Sequence, residues 1–96
     1  MDILVCYDVN TEEREGRRRL RNVANTCKSY GQRVQKSIFE CRVNDMQYQT
    51  FLAKLSKIID KKTDSLRVYR LRAPREENLE IFGIDTYVDF DDPLII

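Results

Sequence analysis

An apolar run closed by a carboxylate, two amphipathic stretches at helical spacing, and strand-period segments between and after them predict an α+β domain with the order βαββαβ. That order is the split βαβ of ferredoxin-like folds, with an antiparallel sheet. Residues 1–83 complete the unit, and residues 84–96 are left as a C-terminal tail that reads as an extra strand. Ninety-six residues make one domain with a modest core, so a homodimer would gain burial that the single chain lacks.

Asp2 to Asp8 (DILVCYD) is apolar on both alternating faces, as expected of a central strand covered on each side. Asn10-Thr11-Glu12-Glu13 offers a helix start, with Asn10 or Thr11 as cap and acids in the first turn. Leu20, Val23, Ala24, Cys27 and Tyr30 then recur at helical spacing, and Gly31 follows as the expected left-handed residue past the helix end. Gln32 to Val43 reads as a short strand, a tight turn near Lys36 and a longer strand. In it Ser37, Phe39, Cys41 and Val43 alternate with Ile38, Glu40 and Arg42. Asn44 caps a second helix whose apolar stripe is Tyr48, Phe51, Leu52, Leu55, Ile58 and Ile59. Leu66 to Leu71 is the next strand, Ala73-Pro74 breaks it, and Leu79 to Phe82 reads as a short further strand ended by Gly83. Leu94, Ile95 and Ile96 need burial that the compact unit does not offer, and the sheet edge of a second protomer would supply it.

No apolar run approaches the length of a membrane span, and the start Met-Asp-Ile-Leu-Val has no basic segment, so a cytoplasmic chain with no membrane partner is expected. Cys6, Cys27 and Cys41 form no C-x-x-C pair and have no histidine to complete a zinc site. All three are expected as reduced core residues. The net charge of +1 hides an asymmetry: residues 9–36 hold eight basic and three acidic side chains, a net +5, while residues 76–96 hold seven acidic and no basic ones, a net −7. Such a split suggests an anion-binding face kept apart from an acidic tail.

Hydrolysing a phosphodiester requires charge stabilisation on the phosphate and an activated water. The absence of histidine excludes an imidazole acid/base pair, and no Gly-rich phosphate loop, G-x-S-x-G or H-E-x-x-H is present. Carboxylate and metal remain. Asp8 stands at the end of a central strand just before a loop into a helix, and its oxygens suit Mg2+ or Mn2+. One carboxylate is a poor metal site, but a two-fold axis near Asp8 would bring a second copy. Strand-end aspartates also commonly serve turns.

At about 100° per residue, Arg14, Arg17, Arg18, Arg21, Asn25 and Lys28 share one stripe of the first helix, turned away from its apolar side. Four arginines in one stripe exceed what a solvated face requires, and their planar forks suit phosphate oxygens without reading sequence. Tyr7 and Phe39 lie near the same strand ends, where a ring stacks on a base or fills the core. Ser37 is a candidate donor to phosphate or to a metal ligand.

Taken together, Tyr7-Asp8-Val9 after the first strand, the basic first helix, and Arg33-Val34-Gln35-Lys36-Ser37-Ile38-Phe39-Glu40 resemble the Y-D-[IV] and R-x-Q-x-S-[VI]-F-E motifs of the CRISPR-associated Cas-two family. The resemblance runs from Met1 to about Phe82. It implies a homodimer that bridges two dimers of the CRISPR integrase, with a DNA duplex lying across the assembly. Some relatives are metal-dependent nucleases for single-stranded RNA or double-stranded DNA. The resemblance makes Asp8 the metal ligand, contributed by both protomers, and places Tyr7, Arg33, Ser37 and Phe39 around it. Other relatives act as scaffolds that do not need the aspartate. The competing expectations are a catalytically silent DNA-binding scaffold, a toxin-like ribonuclease of the virulence-associated D family, and a small-molecule regulatory domain of the same fold.

Overall fold

A computed structural model of the chain describes residues 1–88. The elements follow the expected order: β1 (Asp2–Asp8), α1 (Arg14–Lys28), β2 (Gly31–Gln35), β3 (Ile38–Arg42), α2 (Asp45–Ile58) and β4 (Ser65–Leu71), then a single 3-10 turn at Arg75–Asn78. The sheet order is β2-β3-β1-β4, and every neighbouring pair is antiparallel. Each helix therefore joins two strands that run the same way with a third strand between them, which is the ferredoxin-like arrangement.

Alternation along the strands divides the sheet into two faces. Ile3, Val5 and Tyr7 of β1 and Phe39 and Cys41 of β3 face the helices and are buried with Val23, Cys27, Phe51 and Leu55. Leu4, Cys6, Ile38 and Glu40 lie on the other face. Cys27 and Cys41 are core residues as expected, and burial pushes both thiols up to about 12. Cys6 departs from the expectation: it is half-buried on the outer face and free.

α2 begins as the sequence indicates. Asn44 and Gln47 close a capping box, with Asn44 Oδ1 accepting from the Gln47 N–H at 2.8 Å and Gln47 Oε1 accepting from the Asn44 N–H at 2.9 Å. α1 begins later than predicted. Asn10 Oδ1 accepts from the Glu12 N–H at 3.0 Å, an Asx turn that spends the side chain inside the loop, and the helix starts at Arg14 after an N-cap Glu13 with no side-chain bond. Gly31 is not the left-handed residue expected. Ser29 ends the helix in right-handed geometry, and Gly31 opens β2, where a Cβ would meet the Cα and Sγ of Cys41 at 2.6 Å. The turn at Lys36-Ser37 is present, although both flanking strands are five residues long.

No strand forms over Leu79–Phe82, and among the described residues the sheet has four strands. Pro74 offers no N–H to a ladder and the 3-10 turn redirects the chain, so the segment crosses the open face of the sheet instead of following the β4 edge. Side chains hold it there. Arg75 makes a two-pronged ion pair with Glu40, its guanidinium carbon lies 3.6 Å from the centre of the Tyr87 ring, and Gln32 exchanges two hydrogen bonds with the backbone of Val88. Residues 84–88 of the tail therefore run over their own sheet; Leu94, Ile95 and Ile96 lie outside the described residues.

Candidate nucleic-acid interface

Asp8 is the last residue of β1, pairs with Ser65 of β4, and is exposed. The loop that follows is held by Asp64, which directly precedes Ser65. The Asp64 carboxylate accepts from the Asn10 N–H at 3.0 Å, the Asp60 N–H at 2.8 Å and Arg19 Nε at 2.8 Å, and its side chain is wholly buried. Burial opposes its charge, but the Arg19 guanidinium and the two backbone donors outweigh that cost and hold the carboxyl at about 2. Gly16, buried in the first turns of α1, lies directly under the Asn10 carbonyl, and a Cβ there would collide with it. Both chain segments flanking Asp8 and Ser65 are thus fixed from below.

Strand alternation sends Tyr7 toward the helices and Asp8 to the opposite side. The Tyr7 N–H donates to the Ser37 carbonyl at 3.0 Å, which draws the β2–β3 turn against the end of β1. Between that turn and α1 lies a groove of about 480 Å3. Its floor is part of Tyr7 with Leu20 and Ala24, and its rim carries Arg21, Lys28, Arg33, Lys36 and Ser37. Among the described residues no carboxylate lines it.

Phe39 does not stack on a base. It is wholly buried, with the Tyr7 ring stacked on it at 6.3 Å and the Arg33 guanidinium 5.1 Å above its centre. Tyr7 is nearly as buried, with its ring stacked on Phe39, and only a small part of it borders the groove. Both rings act as the support that carries Arg33.

Arg14, Arg18 and Arg21 line a shallow depression of about 440 Å3 with Glu15, next to the groove. Arg17 turns back and donates to the Thr11 carbonyl at 3.3 Å. Arg14 and Arg17 sit in the first turns of a helix, where the macrodipole disfavours cations, so their placement serves something other than helix stability. Arg19, adjacent in sequence, belongs to the Asp64 lock and not to the ridge. The structure therefore gathers Tyr7, Arg21, Lys28, Arg33 and Ser37 around one groove, keeps Arg14, Arg17 and Arg18 on the flanking ridge, and sets Asp8 on the other side of the strand tip.

Sequence reasoning missed Asp64, Arg19 and Lys36. Lys36 marks the expected turn, but nothing in its local pattern assigns it to the site. Besides the Asp60 N–H four residues back, Asp64 finds its partners 45 and 54 residues away, so its role in holding the loop after Asp8 is not marked locally.

Among the described residues no three of the His, Cys, Asp and Glu side chains gather as a metal site. Asp8 offers hard oxygen ligands of the type that suits Mg2+, which keeps several waters and takes one or two carboxylates. Within one chain Asp8 is short of a partner, because Asp64 is committed to Arg19. The donor set would fit the ion only if a second copy added its own carboxylate on this face.

The family described as CRISPR associated protein Cas2 matches residues 1–78. The chain is 50% identical over 96 residues, covering 100% of both chains, to the CRISPR-associated endoribonuclease Cas2 1 of Moorella thermoacetica. It is 44% identical over 95 residues, covering 99% of each, to the CRISPR-associated endonuclease Cas2 of Halalkalibacterium halodurans. A crystal structure of Streptococcus pyogenes Cas2 superposes with a TM-score of 0.77 at 49% identity, covering 86% of this chain and 100% of that one. Sequence along its whole length, strand order and fold agree, and the chain belongs to the CRISPR-associated Cas2 family.

Proposed function

We propose that this chain is a cytoplasmic CRISPR adaptation protein: a homodimer that binds nucleic acid backbones along α1, bridges integrase dimers, and carries a metal-dependent endonuclease site at the tip of β1. The observation that carries this reading is the tip of β1 itself, with a cation-lined groove and ridge on its helix side and the exposed Asp8 on the opposite side, on a loop held by Asp64. The names of the relatives, endoribonuclease and endonuclease, support the same chemistry.

Asp8 of both protomers would hold a Mg2+ or Mn2+ ion, which when bound would provide an activated water and charge neutralisation at the phosphate. The chain's own residues do the holding. Arg14, Arg17, Arg18 and Arg21 position the strand through its phosphates, with no sequence preference. Arg33, stiffened by Phe39 below it, with Lys28 and Lys36, holds a further phosphate of the strand on the helix side of the β1 tip. The Ser37 hydroxyl is free to donate to a phosphate oxygen.

Purified wild type and Asp8→Asn are incubated with duplex DNA and with single-stranded RNA, in magnesium or in chelator. Asp8 is exposed, so the variant retains the fold. Cleavage lost both in the variant and in chelator is the expected result; cleavage that persists unchanged in the variant removes Asp8 as ligand. A second reading, a silent DNA-binding scaffold, is favoured by the lack, among the described residues, of three potential metal ligands in one cluster, and it requires salt-dependent duplex binding with no cleavage by wild type.

A further inference from the structure

We infer that the groove between α1 and the β2–β3 turn is a subsite for one unpaired nucleotide, with the base on the apolar floor and its phosphate on the basic rim. The inference rests on the nucleic-acid reading above and deepens it, because that reading leaves open whether the bound strand is single or paired.

Three features of the groove point the same way. Its volume of about 480 Å3 falls within the range of roughly 300–1,000 Å3 seen for small-molecule sites, larger than a phosphate group needs. Its floor, made by Leu20, Ala24 and part of Tyr7, is apolar, whereas a surface that held phosphates alone would have no use for buried aliphatic carbon. Its rim places Arg21, Lys28, Arg33 and Lys36 around that floor with no acid among them. A flat base face with an attached anionic phosphate complements this pattern: ring on the floor, phosphate against the cations. The Asn25 amide and the Ser37 hydroxyl lie at the same mouth and can meet polar edges of any base.

Phe39 and Tyr7 lend the groove its shape by being unavailable. Their faces are stacked together, so a base entering here lies against aliphatic carbon and not between rings. A base inside a duplex is stacked on both sides and cannot reach this floor. The strand must be unpaired at this point, or the base must be turned out of the helix. The ridge, by contrast, has no apolar residue in its lining and accepts paired and unpaired backbones alike.

The test uses full-length protein, labelled at leucine and alanine methyls, titrated with uridine monophosphate and, separately, with inorganic phosphate. The nucleotide is expected to shift the Leu20 and Ala24 methyls, and phosphate to leave them in place. Equal shifts from phosphate, or no methyl shift with the nucleotide, overturn the subsite. In parallel, Asn25→Trp fills the mouth from an exposed position without removing a charge. The ratio of single-stranded RNA to duplex DNA affinity is expected to fall about ten-fold, the order of magnitude that burying roughly 50–60 Å2 of apolar base surface contributes. An unchanged ratio in a folded variant also overturns it. If wild type binds duplex DNA but shows neither effect, the subsite alone fails; if wild type binds neither nucleic acid, the reading beneath it fails as well.

Discussion

Arg19 and Asp64 lie 45 residues apart and meet in a 2.8 Å ion pair that ties α1 to the start of β4, while the same carboxylate accepts from the Asn10 N–H. One buried side chain thus sets the position of the loop that leaves Asp8. Asp64→Asn removes its charge and keeps its size. Stability is expected to fall by about 2 kcal/mol, the cost of leaving buried donors poorly paired. The difference depends on pH with a definite sign. Asp64 titrates at about 2 in the fold, below its ordinary 3.8, so its contribution is complete above 3.8 and fades as the pH falls through about 2. Thermal melts of both proteins between neutral and strongly acidic pH check this: the gap between the curves should close toward pH 2.

Gly16→Ala drives a methyl into the Asn10 carbonyl. The loop after Asp8 must shift outward, and a loss of about 1–3 kcal/mol is expected from such overpacking. Urea unfolding measures the loss. Magnesium-dependent cleavage should fall with it, and further than the stability change alone accounts for at temperatures where the variant is still folded.

Arg17→Ala with Arg18→Ala weakens duplex binding equally for unrelated sequences. The slope of log affinity against log salt should drop by about one for each phosphate that the pair no longer neutralises. An unchanged slope would place the backbone elsewhere.

Thiol alkylation at mildly alkaline pH separates the cysteines. Cys6 is half-buried, whereas Cys27 and Cys41 are wholly buried with thiols raised to about 12. Mass spectrometry of the native protein should find label on Cys6 first, and label on the other two only after denaturant is added.

Whatever a short stretch of chain decides by itself is legible in the sequence. β1 is, because seven residues alternate against two covered faces, and α2 is, because Asn44 and Gln47 close their box three residues apart. The basic stripe of α1 follows from helical spacing in the same way. The start of α1 is not legible, because Asn10 has two local uses, cap or Asx turn, and the choice is made by Asp64 on the far side of the domain. Leu79 to Phe82 has strand composition, but the chain there is drawn across the sheet by the pairing of Arg75 with Glu40, 35 residues back. Phe39 suits either role, base platform or core, and its neighbours Tyr7 and Arg33 settle the matter by covering it. Composition locates chemistry well and depth poorly.

Glu40 sits at the centre of the sheet's open side and is 4% exposed, sealed by a residue from beyond the last strand. Ending the chain at Leu71, where the sheet itself is finished, would remove both the counter-ion of Glu40 and the cover over Leu4 and Ile38, leaving apolar sheet surface in water. The stretch from Pro74 onward therefore works as a lid stitched to the domain through Arg75, and a shortened chain that lacks Arg75 is expected to be less stable.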